Sequence, residues 1–212
     1  MKAAIAHANI VFWDFDGVIK ESAELKITAL EQLFLPYGAE ISRRVLSHHM
    51  TNQGLSRFEK LPLYLAWAGE EVTPAKVDTF CQRFSDLVMH AVINAAWVPG
   101  AREYLMRHFS TQYFVLVTAT PQKEIERILE AIAIKDCFRE VYGAPTRKVD
   151  AIELVLSQPQ FTSTNALVIG DSEADFRAAQ AHDVPFLLRC TPFNRSLQAR
   201  FHGSKVDDFN DE

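Results

Sequence analysis

Asn9-Ile10-Val11-Phe12-Trp13-Asp14-Phe15-Asp16-Gly17 is the stretch on which the reading of this chain turns. From Ile10 to Trp13 no polar residue interrupts the run. A strand with one wet face alternates apolar and polar residues; an unbroken apolar run suits a strand covered on both faces, as in a parallel sheet between helical layers. Asp14 and Asp16 follow at once, and Gly17 ends the strand. Two carboxylates one residue apart can divide chemical labour, one as nucleophile or metal ligand and the other as proton donor and acceptor. Asp-x-Asp-Gly is also ordinary turn chemistry. The apolar strand before it and the polar partners downstream weigh against a plain solvated turn.

Working outward, residues from about Ser22 to Asn94 read as helical. Ala23, Ile27, Leu30 and Phe34 recur at helical spacing, and Pro36-Tyr37-Gly38 stops them. Leu55, Phe58 and Leu65 mark another helix. Thr73-Pro74 reads as an N-cap with proline at the first helical position, and Val77, Phe80, Phe84, Leu87, Val88 and Ala91 mark one face of the long helix that follows. After Trp97-Val98-Pro99-Gly100 strands and helices alternate. Strands are predicted over Tyr113–Val117, Phe138–Tyr142, Ala166–Ile169 and Val184–Leu188. The intervening helices begin at Pro121 and carry Ile125 and Ile128, then Ile152 and Val155, then Phe176 and Ala179. The acidic tail Val206–Glu212 is expected to fray. This is an α/β pattern: a Rossmann-like parallel sheet interrupted after its first strand by an all-helical insertion.

Composition bounds the function. The chain has 212 residues, 48% hydrophobic and 23% charged, enough for a sizeable core and unlike a disordered chain or a coiled coil. A net charge of −5 is no electrostatic footprint for nucleic acid. Cys81, Cys137 and Cys190 are odd in number and far apart, which predicts reduced thiols in a cytoplasmic protein. No apolar run reaches membrane-spanning length, and the stretch after Lys2 lacks the features of a signal peptide.

In an open parallel sheet, ligands bind beyond the carboxyl ends of the strands. Asp14, Asp16, Thr118, Asp171 and Asp175 all stand at such ends, and Lys148 opens a helix beside them. Taken singly, Asp171 suits an N-cap, Thr118 a strand-end hydroxyl and Lys148 a surface lysine. Taken together they offer acids for a hard divalent cation, a hydroxyl and a fixed positive charge, the needs of a phosphoryl group.

These motifs resemble, in order and over almost the whole chain, those of the haloacid dehalogenase superfamily, in its helical-cap branch of phosphoglycolate phosphatase-like and β-phosphoglucomutase-like members. Asp14-Phe15-Asp16-Gly17-Val18 is similar to its first motif, Val115-Leu116-Val117-Thr118 to its second, Lys148 to its third and Gly170-Asp171-Ser172-Glu173-Ala174-Asp175 to its fourth. Val98-Pro99-Gly100-Ala101 resembles the return from cap to core. The resemblance implies residues 1–19 and 97–212 as the core and 20–96 as a helical cap. It implies Asp14 as the nucleophile that becomes an aspartyl-phosphate and Asp16 as the acid and base. Mg²⁺ would be held by the Asp14 carboxylate, the Asp16 carbonyl and Asp171, with Asp175 in support. Thr118 and the Ala119 N–H would hold phosphoryl oxygens, and Lys148 would balance charge. An acid at position 16 distinguishes phosphate ester chemistry from the dehalogenating and phosphonate-cleaving branches. Lys20-Glu21 departs from the Val-Asp common in phosphoglycolate phosphatases.

The expected activity is hydrolysis of a small phosphorylated metabolite, such as a sugar phosphate, by a monomer or homodimer with no nucleic-acid or membrane partner. A phosphomutase and a catalytically idle interaction domain are the alternatives. Within 20–96, the segment His48 to Lys60 is the candidate substrate loop, through His49, Asn52 and Arg57. The competing reading is a helix–loop–helix in which Ser56 caps and Arg57 pairs with an acid.

Overall fold

The structure, a computed structural model, describes residue 5 and residues 7–210; the reading around Lys2 and the last two residues of the tail lie outside it. Its centre is a six-stranded parallel sheet in the order β3-β2-β1-β4-β5-β6. The strands are β1 Ile10–Trp13, β2 Tyr113–Pro121, β3 Glu140–Ala144, β4 Ala166–Gly170, β5 Phe186–Arg189 and β6 Lys205–Val206.

All four residues of β1 are buried. Alternation sends Ile10 and Phe12 to one face of the sheet and Val11 and Trp13 to the other. The first pair packs with Val115, Val168, Ile152 and Ala179. The second packs with Phe114, Leu105, Ile125 and Phe209 in a larger cluster. The unbroken apolar run therefore reflects two helical layers, as its composition predicts.

Between β1 and β2 lie four helices: α1 Ala23–Phe34, α2 Ala39–Thr51, α3 Arg57–Trp67 and α4 Pro74–Asn94. Thr73 caps α4 as expected, its side chain accepting from the Lys76 N–H at 3.3 Å. Ser56 caps α3 through a reciprocal box with Glu59. Phe80, Phe84 and Val88 of α4 are buried, joined by Cys81 and Val92, whereas Leu87 is exposed. Chain enters and leaves this block side by side, with Lys20 bridged to Trp97 and its ammonium 4.3 Å from the indole centroid. The remaining helices flank the sheet: α5 Ala101–His108, α6 Gln122–Ala131, α7 Lys148–Leu156, α8 Glu173–Ala181 and α9 Arg195–Arg200.

Three expectations need correction. The strand expected at Phe138–Tyr142 runs Glu140–Ala144. The strand expected at Val184–Leu188 runs Phe186–Arg189, so its last residue is a buried arginine. The tail is ordered through Phe209: Lys205–Val206 adds the sixth strand, and the Phe209 ring lies 5.2 Å from that of Trp13. A two-residue strand carries too little periodicity to be read from sequence.

Candidate active site

The register of the sheet gathers the polar residues. Trp13 lies opposite Leu116 on one side and Ile169 on the other, so the residues just beyond share one edge. Asp14 leaves β1 there, Asp171 leaves β4, and Lys148 begins α7 after β3 reaches the same edge. β2 continues to Pro121, so Thr118 lies inside that strand rather than past its end.

Asp14, Asp171 and Asp175 offer carboxylate oxygens that all lie within 4.8 Å of one another. Lys148 reaches between them, 2.8 Å from Asp14 Oδ1 and 2.5 Å from Asp175 Oδ1. Burial pushes the Asp14 carboxyl up to about 7, and the neighbouring Asp175 adds to the rise. Burial, with Asp14 and Asp175 nearby, raises Asp171 as well. Burial would lower Lys148, but Asp14 and Asp175 outweigh it and raise its pKa. Three hard oxygen donors against one ammonium leave an excess of buried negative charge. That donor set fits a hard divalent cation better than it fits itself.

Asp171 does not cap the following helix; Ser172 does, in a box with Asp175. Asp175 thus holds the loop with Oδ2 and Lys148 with Oδ1. The Asp171 carbonyl accepts from Asn194 Nδ2 at 2.7 Å, which ties the loop to the chain after β5. Gly17, at φ +77°, lies directly against the Asp171 carboxylate, and a side chain there would overlap it. The Gly17 carbonyl accepts from Arg189 Nη1 at 3.1 Å, and Arg189 also pairs with Glu21.

The Asp16 carboxylate points elsewhere. It accepts from Ser22 Oγ at 2.6 Å and Thr120 Oγ1 at 3.2 Å, and it pairs with Lys26 of α1. Burial alone would raise its pKa, but Lys26 and these hydrogen bonds hold it below the usual carboxylate range.

A cavity of about 60 Å³ opens between this edge and the helical block. Asp14, Asp16, Thr118, Ala119, Lys148 and Asp171 line its floor. The block closes it from above with Lys26, His49, Gly54, Arg57, Lys60 and Tyr64, among others. Gly54 rests on the Ser172-Glu173-Ala174 turn so closely that a methyl group would overlap Ala174 and Ser172.

The model of the haloacid dehalogenase-like hydrolases matches residues 11–188 of the chain, from β1 to the next-to-last strand. The chain belongs to this family. A phosphoglycolate phosphatase of Pseudomonas fluorescens is 23% identical to the hydrolase over 182 residues, covering 83% of this chain and 67% of that one. Among solved structures, CbbY of Rhodobacter sphaeroides in complex with phosphate superposes with a TM-score of 0.74 at 17% identity, covering 96% of each chain. A β-phosphoglucomutase of Clostridium difficile gives 0.73 at 18%, covering 96% of this chain and 92% of that one. At such identities the structural likeness shows the fold. With the family match and the phosphatase relatives it makes this chain a hydrolase of the phosphatase kind. Among the described residues no helix is long and apolar enough to cross a membrane.

The hydrolase treats its three candidate substrate residues differently. His49 is buried and lines the cavity, accepting at Nδ1 from Lys60 Nζ at 3.1 Å. Burial and the adjacent Lys60 push His49 down to about 2, so its ring is neutral. Asn52 does not line this cavity; its side chain turns back to the His48 carbonyl and its own carbonyl faces Lys60. Arg57 lines the cavity, but its guanidinium grips Glu124 of α6 with two bonds, at 2.7 and 2.9 Å, the acid pairing named as the competing reading. Lys26 and Thr120 were not foreseen, and Lys60 ends the candidate substrate segment without having been singled out as a substrate residue. A signal existed for the lysines. Ala23, Lys26 and Leu30 fall at i, i+3 and i+7, and Arg57, Lys60, Leu61 and Tyr64 at i, i+3, i+4 and i+7, so each lysine interrupts an apolar stripe.

Proposed function

We propose that this hydrolase removes the phosphoryl group from a small phosphorylated metabolite through an aspartyl-phosphate on Asp14. The observation that supports this most is the convergence of Asp14, Asp171 and Asp175 around Lys148, with Asp16 held apart from them by Lys26 and Thr120. Two carboxylates in such different surroundings are suited to different tasks.

The Asp14 carboxylate attacks phosphorus, and the bond to the leaving oxygen breaks. Asp16 gives that oxygen its proton, then takes one from the water that attacks the phosphorylated Asp14 and frees inorganic phosphate. Lys26 keeps Asp16 ionised in the resting site, the state needed for the second step. Release from Lys26 as the substrate enters removes that hold on Asp16, which takes up from solvent the proton it gives in the first. Thr118 and the Ala119 N–H hold phosphoryl oxygens, and Lys148 steadies Asp14 and offsets charge on the phosphate. Asp14, Asp171 and the Asp16 carbonyl would hold Mg²⁺, with Asp175 in support, and the ion would neutralise negative charge that otherwise repels a phosphate dianion. Residues 20–96 act as the cap that excludes water and reads the leaving group, over a core of residues 1–19 and 97–212. The free thiols Cys81, Cys137 and Cys190 suit a reducing compartment such as the cytoplasm.

The test is phosphate release from phosphorylated sugars, sugar acids and nucleotides, with and without Mg²⁺, by the native protein and Asp14→Asn. Metal-dependent release that is lost in Asp14→Asn is the expected result. No release from any substrate by folded protein contradicts the reading. Phosphate moved within the sugar, only in the presence of a bisphosphate activator, would identify a mutase instead.

A further inference from the structure

The proposed function leaves a buried charge of the cavity without a task. Of the basic side chains lining the cavity, Lys148 faces Asp14 and Asp175, Lys26 faces Asp16, and Arg57 is bound to Glu124. His49 is neutral. Lys60 differs. The residue is 6% exposed, and among the described residues its ammonium hydrogen-bonds only to neutral acceptors, His49 Nδ1 at 3.1 Å and the Asn52 carbonyl at 3.4 Å. The adjacent acid, Glu59, is committed to the Ser56 cap. Burial, with Lys26 and Arg57 nearby, pushes Lys60 down to about 7. A buried ammonium without a carboxylate costs stability unless a ligand brings the counter-charge. The same cavity is lined by the apolar Leu30, Leu61 and Phe84 and by Tyr64, and its volume of about 60 Å³ leaves little room.

We propose that Lys60 selects the leaving group, receiving a second anionic group, carboxylate or phosphate, on a short substrate whose scissile phosphate sits at Asp14. This rests on the phosphatase reading and moves the anion-reading role away from Arg57, whose charge is already met. His49 is the positioning residue: its neutral ring accepts one ammonium proton, the Asn52 carbonyl accepts a second, and the third is left for the ligand. Lys60 lies on α3, one turn after Arg57, so the helix that ties the block to α6 also carries the specificity group.

Matched substrates test the proposal: phosphorylated hydroxy acids against phosphorylated alcohols of equal carbon number, and sugar bisphosphates against the corresponding monophosphates. A charge-assisted contact in a closed site predicts at least about a tenfold preference in kcat/KM for the anion-bearing member. The two sets decide whether carboxylate or phosphate is preferred. Lys60→Met brings the ratio to within about twofold of unity, and Lys60→Arg keeps part of the preference. Circular dichroism spectra that match the native protein's report that the variants keep their fold. Turnover without a preference, or a preference that survives in Lys60→Met, overturns the role of Lys60 and leaves the phosphatase reading standing. Calorimetric titration of the same pairs into Asp14→Asn and Asp14→Asn/Lys60→Met decides the matter without turnover. Tighter binding of the anion-bearing member in the first protein alone supports the proposal; equal binding of both members overturns it.

Discussion

Asp14, the proposed nucleophile, has a carboxyl raised to about 7, a state held largely by burial and by Asp175. The consequence for stability has a definite sign. Between about pH 4 and pH 7 the folded protein keeps a proton on this group that the unfolded chain has lost, so stability falls as pH rises across that window. Above it the cost is complete, on the order of 4 kcal/mol. Asp14→Asn removes the charge. Without divalent cation the variant should melt higher than the native protein at pH 8 and nearly alike at pH 4. Adding Mg²⁺ should raise the native midpoint more than that of the variant, because binding to the folded state alone stabilises by mass action. Thermal melts at the two pH values, with and without the ion, check both signs. A native protein that melts no lower than Asp14→Asn at pH 8 without metal contradicts this account of the site.

At the scale of elements, two of the contacts between the helical block and the rest of the chain can be tested separately. Gly54, in the loop between α2 and α3, sits on the turn that carries Asp171. Gly54→Ala places a methyl group inside Ser172 and Ala174, so the block cannot seat fully. A misplacement near 1 Å is enough to lower kcat/KM by about tenfold to a hundredfold, and steady-state kinetics will show it. The second contact is the Arg57–Glu124 pair, both side chains 6% exposed, to which Ser85 Oγ adds a bond at 2.6 Å. Glu124→Gln leaves a guanidinium buried with no charge partner and should cost about 3 kcal/mol, whereas Arg57→Met with Glu124→Met recovers most of the loss. Denaturant titration of the single and double variants measures this. Additive losses would show that the two side chains do not act as a pair.

The whole molecule was legible in parts, and the parts have physical reasons. β1 with Asp14 and Asp16, and β4 with Asp171 and Asp175, could be read because a doubly covered strand is apolar throughout and its first polar residue must emerge at the ligand-binding edge. The helical block could be read from its 3.6-residue stripes. What its side chains face could not, because partners such as Glu124 for Arg57 are 67 positions away and only packing brings them together. Asn194 and Arg189, which brace the Asp171 and Gly17 loops, lay beyond reading for the same reason. Phe209 passed for a frayed tail because one aromatic residue among acids has no period, yet it fills the space beside Trp13.

The central claim concerns a covalent bond to Asp14, and a single-turnover experiment tests it directly. Protein in excess is mixed with substrate labelled in its phosphoryl group, quenched in acid on the turnover timescale and digested. The account predicts transient label on the peptide that contains Asp14, absent from Asp14→Asn, decaying as labelled inorganic phosphate appears. Release of labelled phosphate with no label on the protein at any time, or at the native rate from Asp14→Asn, would contradict it.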